Sequence, residues 1–479
     1  MNRDKTTSTG ILKNLFAIIG LSLTLGSSCL SQTNASRIDT LMHRLAERGQ
    51  FSGSIAVVEH GRTIYENGFG NADIEHNAAF TPATPCYLAS LTKQFTAMAV
   101  MILGEQHELS YSDPLSKYFP GFPPYAEKIT IRHLLNHTSG IPDYVGLGLE
   151  HPGLTNTEVL SALMKQDSLD FPPGDKFEYS NSGYILLAMI IEKVSGQAYR
   201  IFLKEHIFDP LGMSTTFVDD GPEIPDRARG YSRFGDSDDY NLKTVGEGGI
   251  FSSVRDLVKW DRALYTEMLV KKSTLAEAFT GGKLNDGSAS MYGFGWGIAE
   301  VDGETTLSHA GRYGGFNTYI KRFTGKQNAV IFLTNHGFRN MGAIGNALIN
   351  ILNEKPYSLP KLSIGEFLFT VAKTEGVTSA LVRYRSLKQS NDSAYDFSES
   401  ELNELGYQYL GLKKTKDAIT ILKLNAEEFP ASWNVYDGLG EAYMDNGDKE
   451  LAINNYKRSL ELNPENSNAV SMLKKLEIK

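Results

Sequence analysis

Short apolar runs near both ends of the first three-quarters of the chain predict β-strands. Residues 54–58 and 63–65 flank a turn at His60-Gly61-Arg62, which is typical of a β-hairpin. Further strands are predicted at 306–309, 318–323 and 329–333.

Helical patterns occupy the chain between these two groups of strands. Thr155-x-x-Glu158 forms a capping box ahead of residues 159–165, and Ser253-x-x-Asp256 begins a second helix that runs to about residue 265. Strands at both ends with helices between them predict an α+β unit over residues 36–355. We expect its two ends to meet in one sheet and the middle to form an all-helical insertion.

The pattern changes after Pro360, where helical periodicity takes over and the chain repeats itself. At an offset of 34 residues, Leu405-Gly406 recurs as Leu439-Gly440, Tyr409 as Tyr443, Ala418 as Ala452 and Pro430 as Pro464. This period resembles the tetratricopeptide repeat, a pair of helices that stacks on its neighbours. We expect residues 356–479 to form a helical linker and repeats, with clear repeats at about 399–432 and 433–466. Two repeats alone are too few for a stable stack, so we also expect them to pack on the preceding unit or on flanking helices. We further expect the repeats to offer a surface to a protein partner.

The first 35 residues have the pattern of a secretory signal peptide. Arg3, Lys5 and Lys13 precede an apolar run at 15–25, which is too short to span a bilayer. Cleavage after Ala35 is one prediction, and a lipid anchor at Cys29 of a bacterial lipoprotein is the alternative. Both predict an exported protein that is periplasmic, secreted or lipid-anchored to the cell envelope.

Composition and charge exclude several classes of protein. Among 479 residues, 41% are hydrophobic and 22% are charged, the balance of a globular protein rather than a disordered or polytopic membrane one. The net charge of −9 gives no basic face, so we expect no nucleic-acid partner. Two cysteines, Cys29 and Cys86, are too few for a disulfide framework.

The most informative chemistry lies at the start of a helix that is apolar on all sides. Residues 95–103 are all apolar except Thr96, which predicts a buried helix. Ser90 and Lys93 are three residues apart at its start and therefore share a face. A lysine whose amino group is buried away from solvent at this position can activate a serine without a Ser-His-Asp triad.

Two other short motifs are weak when taken alone. Tyr179-x-Asn181 lies at a loop-to-helix junction, and His309-x-Gly311 lies where a strand leads into a glycine turn.

His133 and His137 are four apart on a predicted helix, but the glutamate of a His-Glu-x-x-His zinc motif is missing. We therefore expect no metal site and no cofactor.

Together, the three motifs resemble those of the serine β-lactamase and D-alanyl-D-alanine carboxypeptidase superfamily, in its class C β-lactamase-like branch. Supporting segments that look like this family are 129–144, 246–253 and 292–297. The resemblance covers about residues 40–350. It implies an antiparallel sheet flanked by helices, an all-helical subdomain and a serine hydrolase that acts on a small-molecule or peptide acyl substrate.

The resemblance also implies a role for each matching residue. Ser90 would form the acyl-enzyme and Lys93 would assist removal of its proton. Tyr179 would act as general base or proton shuttle, its phenolate favoured by nearby cations. Asn181 would bind the substrate amide or position Lys93. The backbone N–H groups of Ser90 and of Arg312, which follows Gly311, would form the oxyanion hole.

His309 departs from the pattern of true class C β-lactamases, which typically have lysine there. We expect an imidazole that faces the substrate and titrates near its usual pKa of about 6.5. The histidine form is typical of related peptidases, carboxypeptidases and esterases, and these activities are our first interpretation. The alternatives are a β-lactamase, or a non-catalytic penicillin-binding-like scaffold whose repeats recruit a partner.

Overall fold

The computed structural model describes residues 33–219, 226–337 and 340–477. Most of the predicted signal peptide, including Cys29, lies outside the described residues. The first helix is α1, Asn34–Glu47, and the Thr33 side chain accepts a hydrogen bond from Ser36 N at its start. The helix thus begins two residues before the predicted start of the α+β unit, and the predicted cut after Ala35 falls in its first turn. Within the described part of the chain, no helix is both long enough and apolar enough to cross a bilayer.

A six-stranded antiparallel sheet forms the centre of the α+β unit and joins its two ends. The strands are β1 Gly53–Glu59, β2 Arg62–Phe69, β8 Gly297–Val301, β9 Glu304–Tyr313, β10 Phe316–Phe323 and β11 Asn328–Thr334. They lie in the order β2-β1-β11-β10-β9-β8, so the predicted hairpin pairs with the strands near residue 330. Val57, for example, lies opposite Val330. Shorter strands are β3 Asn71–Asp73, β4 Ala78–Ala79, β5 Cys86–Tyr87, β6 Phe217–Val218 and β7 Ile250–Ser252.

Both faces of the sheet are covered, which explains why its central strands are apolar throughout. Ile55 and Val57 pack with α1 and with α10, Met341–Leu352, on one face. Their neighbours Ala56 and Val58 point to the opposite face and join the largest core. The predicted α+β fold with an antiparallel sheet is therefore confirmed.

The helices of the second face and of the helical subdomain follow the predicted capping signals. The Thr155 hydroxyl accepts from Glu158 N while the Glu158 carboxylate accepts from Thr155 N. The Ser253 hydroxyl accepts from Asp256 N at the start of its helix. The helices are α2 Thr92–Glu105, α3 Leu115–Tyr118, α4 Ile131–Leu135, α5 Asn156–Leu163, α6 Asn181–Ser195, α7 Tyr199–Leu203, α8 Val254–Ala263 and α9 Lys272–Ala278.

The C-terminal region is a stack of helices with its own core. The recurrence of glycine at positions 406 and 440 has a packing reason. A Cβ on Gly406 would lie 2.5 Å from the Leu422 side chain of the next helix, and a Cβ on Gly440 would lie 3.1 Å from the Tyr456 ring. A short parallel pair, β12 Leu362–Ser363 and β13 Tyr395–Asp396, lies near its start. The helices are α11 Ile364–Glu375, α12 Val377–Gln389, α13 Glu399–Gly411, α14 Thr415–Glu428, α15 Trp433–Asn446, α16 Lys449–Leu462 and α17 Ser467–Glu477.

A buried ionic cluster joins this helical stack to the α+β unit. The Arg233 guanidinium, whose side chain is 7% exposed, contacts the carboxylates of Glu366, Glu401 and Glu404. The neighbouring ring of Phe234 packs on Phe369 at 4.8 Å between centroids. The repeats therefore use both the flanking helices α11 and α12 and the surface of the preceding unit.

Candidate active site

Three elements bring the predicted site residues to one cavity of about 670 Å³. Ser90 lies in the 3₁₀ turn Ala89–Leu91 that leads into α2, Tyr179 lies in the loop before α6, and His309 lies on β9. The cavity is lined by Tyr87, Ser90, Tyr144, Glu150, Tyr179, Asn181, Glu247, His309, Gly311 and Arg312, among others. The structure thus places these residues of the α+β unit in one site.

Lys93 connects the residues of the site through three hydrogen bonds. Its Nζ donates to Ser90 Oγ at 3.2 Å, to Asn181 Oδ1 at 2.8 Å and to the main-chain oxygen of Glu247 at 3.0 Å. Its side chain is fully buried. Burial lowers the pKa of Lys93 to about 7, although the carboxylates of Glu247 and Asp143 act in the opposite direction. The amine is therefore partly unprotonated near neutral pH and is in contact with the serine hydroxyl.

Asp143 fixes the orientation of the Asn181 side chain, a role that the sequence motifs do not predict. Its Oδ2 accepts from Asn181 N at 3.1 Å and from Asn181 Nδ2 at 3.0 Å. The amide oxygen Oδ1 is therefore turned toward Lys93. Asn181 is the first residue of α6, so this carboxylate also lies at the positive end of that helix.

Tyr179 lies beside Lys93, but its hydroxyl holds its proton. The Lys93 Nζ is 4.9 Å from the centre of the ring. Burial raises the pKa of Tyr179 well above 10, while the nearby Ser90 hydroxyl lowers it and the carboxylates of Asp143 and Glu247 raise it. The expectation that cations favour the phenolate is wrong for this structure, because loss of solvent has the largest effect on the pKa of Tyr179 and the two nearby carboxylates act in the same direction.

His309 lies in the middle of β9 rather than at a strand end, and both of its ring nitrogens are engaged. Nδ1 donates to the Ala310 carbonyl at 2.7 Å, so Nε2 accepts from the Tyr292 hydroxyl at 2.8 Å. Burial, with a smaller effect of Lys93, lowers the pKa of His309 to about 3. The expectation of an imidazole titrating near 6.5 is therefore wrong: the ring is neutral and held in one tautomer.

His137 lies behind Tyr179 and does not form a helical pair with His133. Helix α4 ends at Leu135, and the His137 ring packs on Tyr179 with centroids 4.2 Å apart and the ring planes tilted by 34°. Its Nδ1 accepts from Ser180 N at 3.1 Å, whereas His133 Nδ1 accepts from Thr130 N. Across the described residues, no group of three histidine, cysteine or carboxylate side chains is placed to hold a metal ion.

The strand β9 lies against the backbone of the nucleophile turn. A Cβ on Gly311 would lie 2.4 Å from Leu88 O and 3.0 Å from Ser90 N, so only glycine allows this approach. Arg312 follows at the rim of the cavity with its side chain exposed. The main chains of Ser90 and of β9 thus border the same space, as an oxyanion hole requires.

Glu247 adds a buried carboxyl group that is not part of the three short sequence motifs. The residue is 6% exposed, and its Oε1 accepts from Thr244 Oγ1 at 2.5 Å. Burial raises the pKa of Glu247, while the Thr244 hydroxyl and Lys93 lower it. Glu247 lies in one of the family-like segments, as do Asp143, His137 and Tyr292, but only their contacts across the fold show what they do.

Comparison with known proteins agrees with this geometry. Residues 37–352 match the family model described as Beta-lactamase, and residues 433–466 match the tetratricopeptide repeat model. Penicillin-binding protein 4* of Bacillus subtilis (strain 168) is 34% identical over 358 residues, covering 69% of this chain and 79% of that protein. Protein flp of Staphylococcus aureus (strain MW2) is 28% identical over 69% of each chain.

Solved structures are similar over the same part of the chain. The octameric penicillin-binding protein homologue from Pyrococcus abyssi matches with a TM-score of 0.60 and 30% identity, covering 70% of this chain and 81% of that one. The D-amino acid amidase from Ochrobactrum anthropi SV3 matches with a TM-score of 0.57 and 25% identity, covering 67% and 97%. Both similarities cover about two-thirds of this chain.

Proposed function

The chain belongs to the β-lactamase family, and we propose that it is an exported serine hydrolase that forms an acyl-enzyme on Ser90. The observation that carries the proposal is the fully buried Lys93, whose Nζ lies 3.2 Å from Ser90 Oγ at the wall of the cavity. An amine with a pKa of about 7 can accept the serine proton at neutral pH. We place peptidase, carboxypeptidase or esterase activity ahead of β-lactamase activity.

In the proposed acylation step, Ser90 Oγ attacks the substrate carbonyl as its proton passes to neutral Lys93. The N–H groups of Ser90 and Arg312 would stabilise the oxygen that becomes negative. Tyr179, which carries its proton at rest, would donate it to the leaving nitrogen or oxygen and recover a proton from the Lys93 ammonium. Water would then hydrolyse the acyl-enzyme with the same groups acting in reverse.

The neutral state of His309 supports our placing peptidase, carboxypeptidase or esterase activity ahead of β-lactamase activity. A buried imidazole with both nitrogens engaged offers no positive charge to a substrate carboxylate. Similarity to the D-amino acid amidase supports cleavage of an amide bond of an amino acid. Assays with an ester, a D-Ala-D-Ala peptide and a chromogenic cephalosporin would rank the candidates, and a cephalosporin preference would favour the alternative of a β-lactamase.

Labelling of the nucleophile tests the proposal directly. A fluorophosphonate should add one label to the wild-type protein, and intact mass and peptide mapping should place it on Ser90. Ser90→Ala should abolish labelling and turnover. Ser358→Ala is a matched control, because Ser358 and Lys361 form the same Ser-x-x-Lys pattern at an exposed position. An unlabelled wild-type protein, or an active Ser90→Ala variant, would contradict the mechanism.

Two further parts of the proposal concern location and partners. The pattern of residues 1–35 supports export, and cell fractionation of the full chain tests it.

The tetratricopeptide repeats support a protein partner, because stacked helical repeats commonly present an extended binding surface. Cross-linking of the full-length protein in cells, compared with a chain that ends near Pro360, tests whether the repeats recruit that partner.

A further inference from the structure

The hydroxyl of Tyr179 is not held in place by a hydrogen bond of its own. It has no hydrogen-bond partner among the described residues, and the Lys93 amine lies over the ring, 4.9 Å from its centre. The proposed reaction needs this hydroxyl at one place beside Ser90, because a general acid must lie within hydrogen-bond reach of the atom that it protonates. Contacts of the Tyr179 ring and of the neighbouring main chain therefore have to fix its position.

His137 binds the main chain on both sides of Tyr179. Its carbonyl oxygen accepts from Glu178 N at 2.9 Å, and its ring nitrogen Nδ1 accepts from Ser180 N at 3.1 Å. The ring itself packs on the Tyr179 ring, with centroids 4.2 Å apart. One residue thus contacts the residue before the tyrosine, the residue after it and the tyrosine ring.

The backbone of His137 adopts a conformation that most residues avoid. Its φ is 56°, in the left-handed region, where histidine, asparagine and aspartate are enriched among residues other than glycine. Such strain persists only where the surroundings hold it, and it is common at functional sites. Here Thr138 N donates to His133 O at 2.9 Å, and Thr138 O accepts from Gly174 N at 2.8 Å, so the next residue is anchored on both sides.

The His137 ring is neutral and enclosed by other rings. Because Nδ1 accepts from a backbone N–H, the proton of the ring is on Nε2. Burial, with smaller effects of Lys93 and His309, holds the pKa of His137 well below its usual range. Tyr184 and Tyr292 pack around the same ring, with centroids at 5.1 and 4.7 Å. The contribution of His137 is therefore one of geometry and not of charge.

We propose that His137 is a positioning residue that sets the Tyr179 hydroxyl for protonation of the leaving group. This inference rests on the proposed function, in which the bond to the leaving atom breaks as the Tyr179 proton passes to that atom. Displacing a reacting group by about 1 Å can cost ~100-fold in rate. The contact between Lys93 and Ser90 does not involve His137, so the loss should fall on leaving groups that need the proton.

A pair of esters with the same acyl group tests the proposal. We compare kcat/KM for p-nitrophenyl butyrate and phenyl butyrate in the wild type, His137→Asn and His137→Gly, two substitutions that fit the left-handed backbone. Phenolate is more basic than p-nitrophenolate, so its departure gains more from a proton. His137→Gly should lower kcat/KM for the phenyl ester ~10-fold more than for the p-nitrophenyl ester. His137→Asn should lose less, because its side-chain oxygen can still accept from Ser180 N.

Tyr179→Phe identifies the group through which His137 acts. This variant should shift the ratio of the two esters in the same direction, and adding His137→Gly to it should cause no further shift. A further shift would show that His137 acts independently of Tyr179 and would overturn the proposal. His133→Asn is the matched control, because the His133 ring also accepts from a backbone N–H, but from that of Thr130. Its ratio should equal that of the wild type.

Fluorophosphonate labelling separates this inference from the proposed function. Fluoride leaves without a proton, so both His137 variants should label Ser90 at close to the wild-type rate, which also shows that they are folded. Equal losses for the two esters in labelled variants would overturn the positioning role. Loss of labelling in both variants would also overturn it, because His137 would then hold the fold rather than the tyrosine. An unlabelled wild type would instead contradict the proposed function itself.

Discussion

At Lys93, burial and the carboxylates of Glu247 and Asp143 act on the pKa of one amino group in opposite directions. Loss of solvent lowers its pKa to about 7, and three acceptors within 3.2 Å hold it in place. The neutral amine is the form that accepts the Ser90 proton. We therefore expect kcat/KM to rise with pH and to reach half its maximum near pH 7.

Lys93→Arg tests the origin of this rise. Because arginine stays charged over the accessible pH range, the variant should lose ~10²- to 10⁴-fold in kcat/KM at pH 8. It should also lose the rise near pH 7. An unchanged pH profile in Lys93→Arg would mean that another group accepts the proton.

The imidazole of His309 should remain neutral over the range in which most histidines titrate. Its pKa is lowered to about 3 by burial, so protonation begins only below about pH 4. Nitrogen NMR of labelled protein should show the Nδ1–H tautomer from pH 8 to pH 5. The His309→Asn spectrum identifies the signal by its disappearance, and a shift near pH 6.5 would contradict the two hydrogen bonds seen here.

At the scale of secondary structure, local pattern predicted the fold well. The spacing of hydrophobic residues and the turn residues between them depend on only a few positions of the chain. They predicted the hairpin, the strands around residues 306–333 and the helix that follows Ser90. The role of Asp143 could not be predicted this way, because its partner Asn181 is 38 residues away. The neutral state of His309 likewise depends on Tyr292 and on burial, which only the folded chain creates.

Arg233 should make the largest single contribution to holding α11 and α13 against the α+β unit. Replacing it by methionine leaves the carboxylates of Glu366, Glu401 and Glu404 without their shared cation. Removing one partner of a buried ionic cluster typically lowers the free energy of unfolding by about 3–5 kcal/mol. Urea denaturation and limited proteolysis of residues 353–363 would measure the loss of stability and of docking.

Arg383→Met is the control for this variant. Arg383 pairs with Glu375 at 3.7 Å, but both side chains are about half exposed. An exposed pair contributes ~0–1 kcal/mol, so this variant should unfold close to the wild type. Equal effects of the two substitutions would show that the Arg233 cluster does not hold the helices.

At the scale of the whole molecule, one turn of the α+β unit connects the docked repeats to the strand beside Ser90. Arg233 belongs to the turn at residues 231–238, whose Asp238 oxygen accepts from Gly315 N at 2.8 Å. Gly315 follows β9 two residues after Tyr313, which lines the cavity together with Arg312. The repeats thus support, through one turn, the strand that borders Ser90.

A chain that ends at residue 360 should keep its chemistry and lose part of its stability and solubility. Every residue proposed for catalysis precedes this point, so fluorophosphonate should label Ser90 at a rate within about tenfold of the full-length protein. Arg233 and Phe234 become exposed, which should lower the Tm and favour aggregation. Arg233→Met should then have little further effect on the Tm, although it destabilises the full chain, because its partners Glu366, Glu401 and Glu404 are already gone. A truncated protein that is folded by circular dichroism but unlabelled would mean that the repeats complete the active site.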